Sequence, residues 1–177
     1  LHWQRSVFNQ ARYLTKNIEH EILANHYFKN GKALLSAGVY FDGPEGRRFF
    51  RKGMDIVEAE LHEQFLADGG HYERTLMYHS IMLEDLVDIV NMTRAQAELF
   101  TADFRQLART KACDAARYLE DLLGADGRIP LFNDAAWGIA PEPEELLTYA
   151  ERVAGYERAP RPPVPIEINK SSCGYFG

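Results

Sequence analysis

The sequence predicts an all-α fold built of layered antiparallel helical hairpins, and three observations carry that prediction. Apolar residues recur every three or four positions through long stretches of the 177 residues, the period of a helix with one buried face. Short Gly-, Pro- and Asp-rich turns separate those stretches, so consecutive helices run antiparallel. Leu66-Ala67-Asp68-Gly69 and Gly124-Ala125-Asp126-Gly127 each follow a long helix, 58 residues apart, a period that holds one αα-hairpin. Stacked hairpins of this size form solenoids or toroids, with alternate loops collected on one side.

In chain order, residues 3–24 place Val7, Ala11, Leu14, Ile18 and Ile22 on one helical face. Asn25 stands where an N-cap is expected, ahead of a second helix over 26–41. Its small residues Gly31, Ala33, Ala37 and Gly38 allow a neighbouring helix to approach closely. The turn Asp42-Gly43-Pro44-Glu45-Gly46 puts Pro44 in the first turn of a third helix, 45–66, with Phe50, Met54, Val57, Leu61 and Phe65 facing inward. A fourth helix, 75–90, carries Tyr78, Met82 and Ile89 on one side and His79, Leu83, Leu86 and Val90 on another. A fifth, 95–123, turns Phe100, Phe104, Leu107, Ala115, Leu119 and Leu122 inward. An extended piece, 129–132, leads to Asn133-Asp134, and a sixth helix starts after Pro141 or Pro143, with Glu142, Glu144 and Glu145 at its positive end. The proline-rich run 159–165 reads as a linker, and Ile166-Glu167-Ile168 with Tyr175-Phe176 as the first strand material of another domain.

Composition narrows the function classes. An apolar content of 46% supports a sizeable core. With 20 Lys+Arg against 26 Asp+Glu, the net charge of −6 argues against non-specific nucleic-acid binding. Cys113 and Cys173 lie far apart without metal-type spacing. No run of about 18 apolar residues offers a membrane span. The chain opens on Leu1-His2-Trp3 without an initiator Met, and is read as a piece of a longer protein. The Arg47-Arg48-Arg51-Lys52 cluster is read as a solvated helix face.

The stretch 68–79 is overfull for a turn. Asp68-Gly69-Gly70 suffices to end a helix and reverse the chain, through a glycine of positive φ and local bonds to the Asp side chain. The same twelve residues also hold His71, Tyr72, Glu73, Arg74, Tyr78 and His79. Glu73 and Arg74 are explained by pairing with each other or with neighbours, Glu73 as a structural acceptor, and Tyr78 alone by core packing. Tyr78 and His79 side by side at a helix start instead suit general acid–base work. Asn25-His26, 53 residues earlier, is a second polar doublet at a helix opening, about one hairpin period away. Taken singly, Asn25 is a cap and His26 a structural histidine; taken together, the doublets converge on one mouth.

The ordered set Asn25-His26, Gly31-Lys32-Ala33-Leu34, Ala37-Gly38, Gln64, Asp68-Gly69-Gly70, Glu73-Arg74, Tyr78-His79 and Phe132-Asn133-Asp134 resembles the heparinase II/III family of polysaccharide lyases, over residues 5–155. The resemblance implies an incomplete α/α toroid over 1–158, a linker over 159–165, and the start of an antiparallel β-sandwich over 166–177. It implies β-elimination at a uronic acid. Asn25 would neutralise the carboxylate that acidifies C5. Tyr78 would donate a proton to the glycosidic oxygen or also act as base, and His26 is the base where abstraction comes from the opposite face. A phenol, ordinarily of pKa about 10, serves naturally as an acid and needs nearby positive charge to act as a base. His79, Glu73, Arg74, Asn133 and Asp134 would bind substrate or support the first groups. The resemblance also implies an acidic polysaccharide partner, no cofactor in this chain, a structural metal in the β domain, and a periplasmic or secreted setting in a bacterium. The polymer stays open between a glycosaminoglycan, an alginate-like chain and a bacterial exopolysaccharide. Thr75-Leu76 stands where many relatives have Ser-Pro, and a further histidine is expected from the β domain, so the chain alone is expected to turn over slowly or not at all. Two other readings share these residues: a non-catalytic carbohydrate-binding or exopolysaccharide-assembly protein, and a helical-repeat interaction module.

Overall fold

The structure, a computed structural model, describes residues 2–22, 24–159, 169–170, 172–173 and 175–176. Six helices make up most of it: α1 (His2–Leu14), α2 (Asn25–Tyr40), α3 (Gly43–Gln64), α4 (Leu76–Ala95), α5 (Ala102–Leu122) and α6 (Pro143–Ala154). Two strands, β1 (Asn169–Lys170) and β2 (Tyr175–Phe176), form an antiparallel two-rung ladder, Asn169 opposite Phe176 and Lys170 opposite Tyr175. The expected linker 159–165 and the strand residues Ile166-Glu167-Ile168 lie outside the described residues, apart from Ala159. No described helix is long and apolar enough to cross a membrane.

The pairing α2–α3 is the tightest in the fold, and small residues explain why. A Cβ on Gly38 would stand 2.3 Å from the backbone nitrogen of Phe50, and one on Gly53 would stand 2.4 Å from that of Leu35. The two backbones therefore touch, as Gly31 and Gly38 led us to expect. The connection is only Phe41-Asp42, because the Gly43-Pro44 turn already belongs to α3.

Helix α4 is the centre of the molecule. It is buried on nearly every side, through Leu76, Met82, Leu83, Leu86, Val87 and Ile89, because α2, α5 and α6 all pack against it. The two apolar faces read from the sequence are parts of one continuous apolar surface. A second, smaller core of Ala11, Ile18, Leu34, Ala37, Phe49 and Ile56 joins α1 to the α2–α3 hairpin.

Several boundaries differ from expectation. The first helix stops at Leu14, where the Thr15 hydroxyl donates to Ala11 O at 2.7 Å and Asn17 donates to Tyr13 O at 2.8 Å. Side chains there take over the last carbonyls of the helix. Val7 is exposed, since α1 is covered only along the strip that meets α2 and the edge of α3, and Ile22 is exposed in the connection beyond the helix. Asn25 is the first residue of α2, and Ala24, at φ 65°, holds the cap position. The fifth helix starts at Ala102, after a 3-10 turn, because Thr101 accepts the Phe104 N–H and caps it.

The two Asp-Gly turns share their chemistry. The Asp68 carboxylate accepts the Gly70 N–H at 3.1 Å with Gly69 at φ 85°, and Asp126 accepts the Arg128 N–H at 3.0 Å with Gly127 at φ 77°. Arg47, Arg48 and Arg51 are exposed, while Lys52 donates to Thr15 O at 2.9 Å and ties α3 to the end of α1.

Candidate active site

The α3–α4 turn lies against the start of α2. Gln64, the last residue of α3, donates through its amide nitrogen to Ala24 O at 2.9 Å. Tyr72 and Glu73 continue the contact: the Ala24 backbone bonds the Tyr72 hydroxyl, and the Asn25 backbone bonds the Glu73 carboxylate. A carboxylate at the opening of a helix meets the free N–H groups and the positive end of the dipole. Burial is the largest influence on Glu73 and raises its pKa, Asp134 adds to that, and the Asn25 backbone and His26 oppose it.

The third segment, 133–134, closes over the same turn. Asn133, at φ 55°, donates through its side-chain amide to Arg74 O, and the Thr75 hydroxyl donates to Asp134 O at 3.4 Å. Arg74 also sits at positive φ, 58°. Asn25, His26, Glu73, Arg74, Asn133 and Asp134, from three separate parts of the chain, are thus joined by direct contacts or charge interactions.

The remaining two predicted residues part company. Tyr78, in the first turn of α4, is half-buried at the edge of the main core, and its hydroxyl makes no hydrogen bond among the described residues. His79, one residue on, points inward and is 1% exposed. Its Nδ1 accepts the His71 N–H at 3.2 Å and its Nε2–H donates to Ala115 O at 2.9 Å. Burial pushes its pKa down to about 4, so it is a neutral imidazole holding the turn to α5. The His26 side chain is 55% exposed, with Nδ1 3.9 Å from Glu19.

Sequence reasoning passed over the buried network beneath these groups. The Nε2–H of His71 donates to the Gln64 carbonyl oxygen at 2.8 Å, and the Gln64 amide nitrogen also donates to Glu60 at 2.5 Å. Burial, together with His79, pushes the His71 pKa down to about 3. Gln64 therefore links the α2 start, the His71 turn and α3. Its spacing of four residues from Glu60 and seven from His71 was the available signal. A second overlooked feature is Asp85, 2% exposed on α4, which receives Lys29 at 2.6 Å and Lys32 at 2.7 Å from α2. Burial works against the Lys32 ammonium, and Asp85 and Asp88 outweigh it, so its pKa is raised. These pairs clamp α2 on α4 and fix where Asn25 and His26 stand relative to Tyr78.

The family profile described as Heparinase II/III N-terminus matches residues 1–148. The chain belongs to this family. A heparin-sulfate lyase of Bacteroides thetaiotaomicron is 26% identical over 133 residues, which are 71% of this chain and 19% of that protein. The crystal structure of heparinase III superposes with a TM-score of 0.56 at 26% identity, over 71% of this chain and 20% of that one. The heparan sulfate lyase HepC from Pedobacter heparinus superposes with a TM-score of 0.60 at 21% identity, over 75% of this chain and 20% of that one, a likeness of fold. The chain spans about a fifth of the length of these relatives.

Proposed function

We propose that the full-length protein is a polysaccharide lyase that cleaves a uronate-containing polysaccharide by β-elimination. The observation that carries this reading is the meeting of three family motif segments: Asn25 against Glu73, Arg74 against Asn133, and Thr75 against Asp134. In the proposed reaction the Asn25 side chain faces the uronate carboxylate and favours the charge that develops when C5 loses its proton. A base takes that proton, the C4–O bond breaks, a C4–C5 double bond forms, and the leaving oxygen receives a proton from Tyr78. Tyr78 is also the base where both transfers occur on one face, and His26 is the base where they occur on opposite faces. Glu73, Arg74, Asn133 and Asp134 hold the substrate or the loops around it, and His79 acts from within by fixing the turn.

The same reading takes α1–α6 as part of an incomplete α/α toroid and β1–β2 as the opening of a β-sandwich. It places the enzyme outside the bacterial cytoplasm, on an acidic polysaccharide. Among the described residues no three His, Cys, Asp or Glu side chains group closely enough to hold a metal ion. The test is ultraviolet absorbance of unsaturated uronate, with the full-length protein on heparan-type, alginate-like and exopolysaccharide substrates. Tyr78→Phe is expected to lower the rate by roughly 10²–10⁴-fold while binding is kept. Retained turnover in that variant removes the assignment, and binding without any unsaturated product from the unaltered protein favours a non-catalytic binding role.

A further inference from the structure

Beside the candidate site lies an aromatic surface that the proposed chemistry does not use. Between α5 and α6 the chain leaves Leu131, Phe132, Trp137 and Ile139 exposed, Trp137 at 57% and Ile139 at 64%. Isolated exposed apolar residues need no explanation, but a cluster in nine residues does. The Arg128 guanidinium lies over one side of the Trp137 ring, 5.3 Å from its centroid. Trp137 is not loose: its indole N–H donates to Ile129 O at 3.1 Å, and Ile129 is buried. The Asp126 turn fixes Arg128 from the other side through its backbone N–H. Arg128, Trp137, Gly138, Pro141 and Glu142 line a cavity of about 340 Å³, at the low end for small-ligand sites, which run about 300–1,000 Å³. The segment is pinned to the candidate site by the bonds of Asn133 and Asp134 to Arg74 and Thr75.

We propose that Trp137 and Arg128 form a subsite for one acidic sugar of the polysaccharide, next to the groups that break the bond. An exposed indole held in place presents a flat apolar face to the C–H face of a pyranose ring, at little cost in ordering the protein. A guanidinium beside it matches a carboxylate or sulfate with paired N–H donors. Glu142 on the rim disfavours an anionic group on its own side, which directs the acidic substituent toward Arg128. This subsite rests on the lyase reading and adds to it where the chain is held.

The experiment measures calorimetric binding of size-defined oligosaccharides (heparan-type and alginate-type) to the full-length protein in a Tyr78→Phe background, with kinetics in the unaltered background. Trp137→Ala is expected to weaken binding about tenfold and to raise KM with kcat little changed. Trp137→Phe, which keeps a stacking ring and loses the N–H bond to Ile129, is expected to restore most of the affinity. Arg128→Gln is expected to weaken binding of the acidic oligosaccharide and to leave that of its carboxyl-reduced, desulfated form unchanged. The subsite is overturned if Trp137→Ala binds within about twofold of its parent. It is also overturned if that variant lowers only the melting temperature, the mark of a ring covered by other parts of the fold. If Trp137→Ala loses binding while the unaltered protein yields no unsaturated product, the subsite stands and the lyase reading falls. The converse, unsaturated product with Trp137→Ala unaffected, removes the subsite and leaves the lyase reading. Absence of binding to every oligosaccharide overturns both.

Discussion

His71 and His79 show how a residue's identity can be visible in sequence while its role is not. Both lie in a crowded turn, and a histidine beside a tyrosine invites a catalytic reading. In the fold the period of α4 turns His79 inward while Tyr78 stays at the edge, so adjacent residues have opposite environments. Glu73 went the other way: its contact with the Asn25 backbone depends on two helix ends meeting in space, which no local pattern encodes. The buried histidines carry a pH prediction. Their pKa values are depressed to about 3 and about 4, below the roughly 6.5 of an unfolded chain. Above that unfolded value neither state binds the protons, and stability does not vary with pH through these groups. As pH falls from about 7 toward 4 the unfolded chain takes up two protons that the native state refuses, so stability is lost, on the order of a few kcal/mol. Thermal melts across that range should show the loss. The variant His71→Gln should be less stable at pH 7 yet lose less on acidification. An acid limb identical to that of the parent would show that other groups govern it.

At the scale of elements, the helices were legible wherever one face met one neighbour. The small residues of α2 announced its close pairing with α3, and Pro143 with its flanking glutamates announced α6. Legibility failed at α1, whose apolar period runs past Leu14 although the chain leaves the helix there, and at the break before Thr101, where one hydroxyl caps α5. Both are decided by one or two side-chain bonds to the backbone, against a periodicity that would have continued. The close pairing of α2 and α3 gives the strongest mutational expectation. A methyl group at Gly38 or Gly53 would stand within 2.3 or 2.4 Å of the facing backbone, which cannot rotate away as a side chain can. Each alanine substitution is therefore expected to cost about 1–3 kcal/mol or more, although alanine is the better helix former. At Gly127, at φ 77° with open space around it, alanine is expected to cost only about 1–2 kcal/mol, from backbone strain alone. Chemical denaturation of the three variants gives the order; Gly127→Ala as the most damaging would remove this account of the α2–α3 pairing.

At the scale of the whole molecule, the α3–α4 turn joins the described end of the chain to the candidate site. One oxygen of Asp68 accepts the Gly70 N–H at 3.1 Å, and the other accepts the Cys173 N–H at 2.9 Å. Cys173 is buried against that turn, and Lys170 pairs with Asp121 at 2.8 Å while lying over the Tyr118 ring. The segment that carries β1 and β2 is thus held by the same carboxylate that shapes the turn leading to Glu73 and Tyr78. The repeat turn at Asp126 makes the corresponding local bond, so the second duty of Asp68 could not be read from the motif. An amide offers one acceptor oxygen where the carboxylate offers two. Asp68→Asn should therefore leave one of the two N–H groups without its partner, at about 1–3 kcal/mol, and Asp68→Ala should release both. Hydrogen exchange reads this directly. The amides of Gly70 and Cys173 should exchange faster in Asp68→Ala, and one of them in Asp68→Asn, with the helical circular dichroism signal preserved in both. If Cys173 exchanges as fast in the unaltered protein as in Asp68→Ala, the docking of this segment on the turn is not maintained in solution. If it is protected only while Asp68 is present, the site and the segment after the helices are built on one side chain.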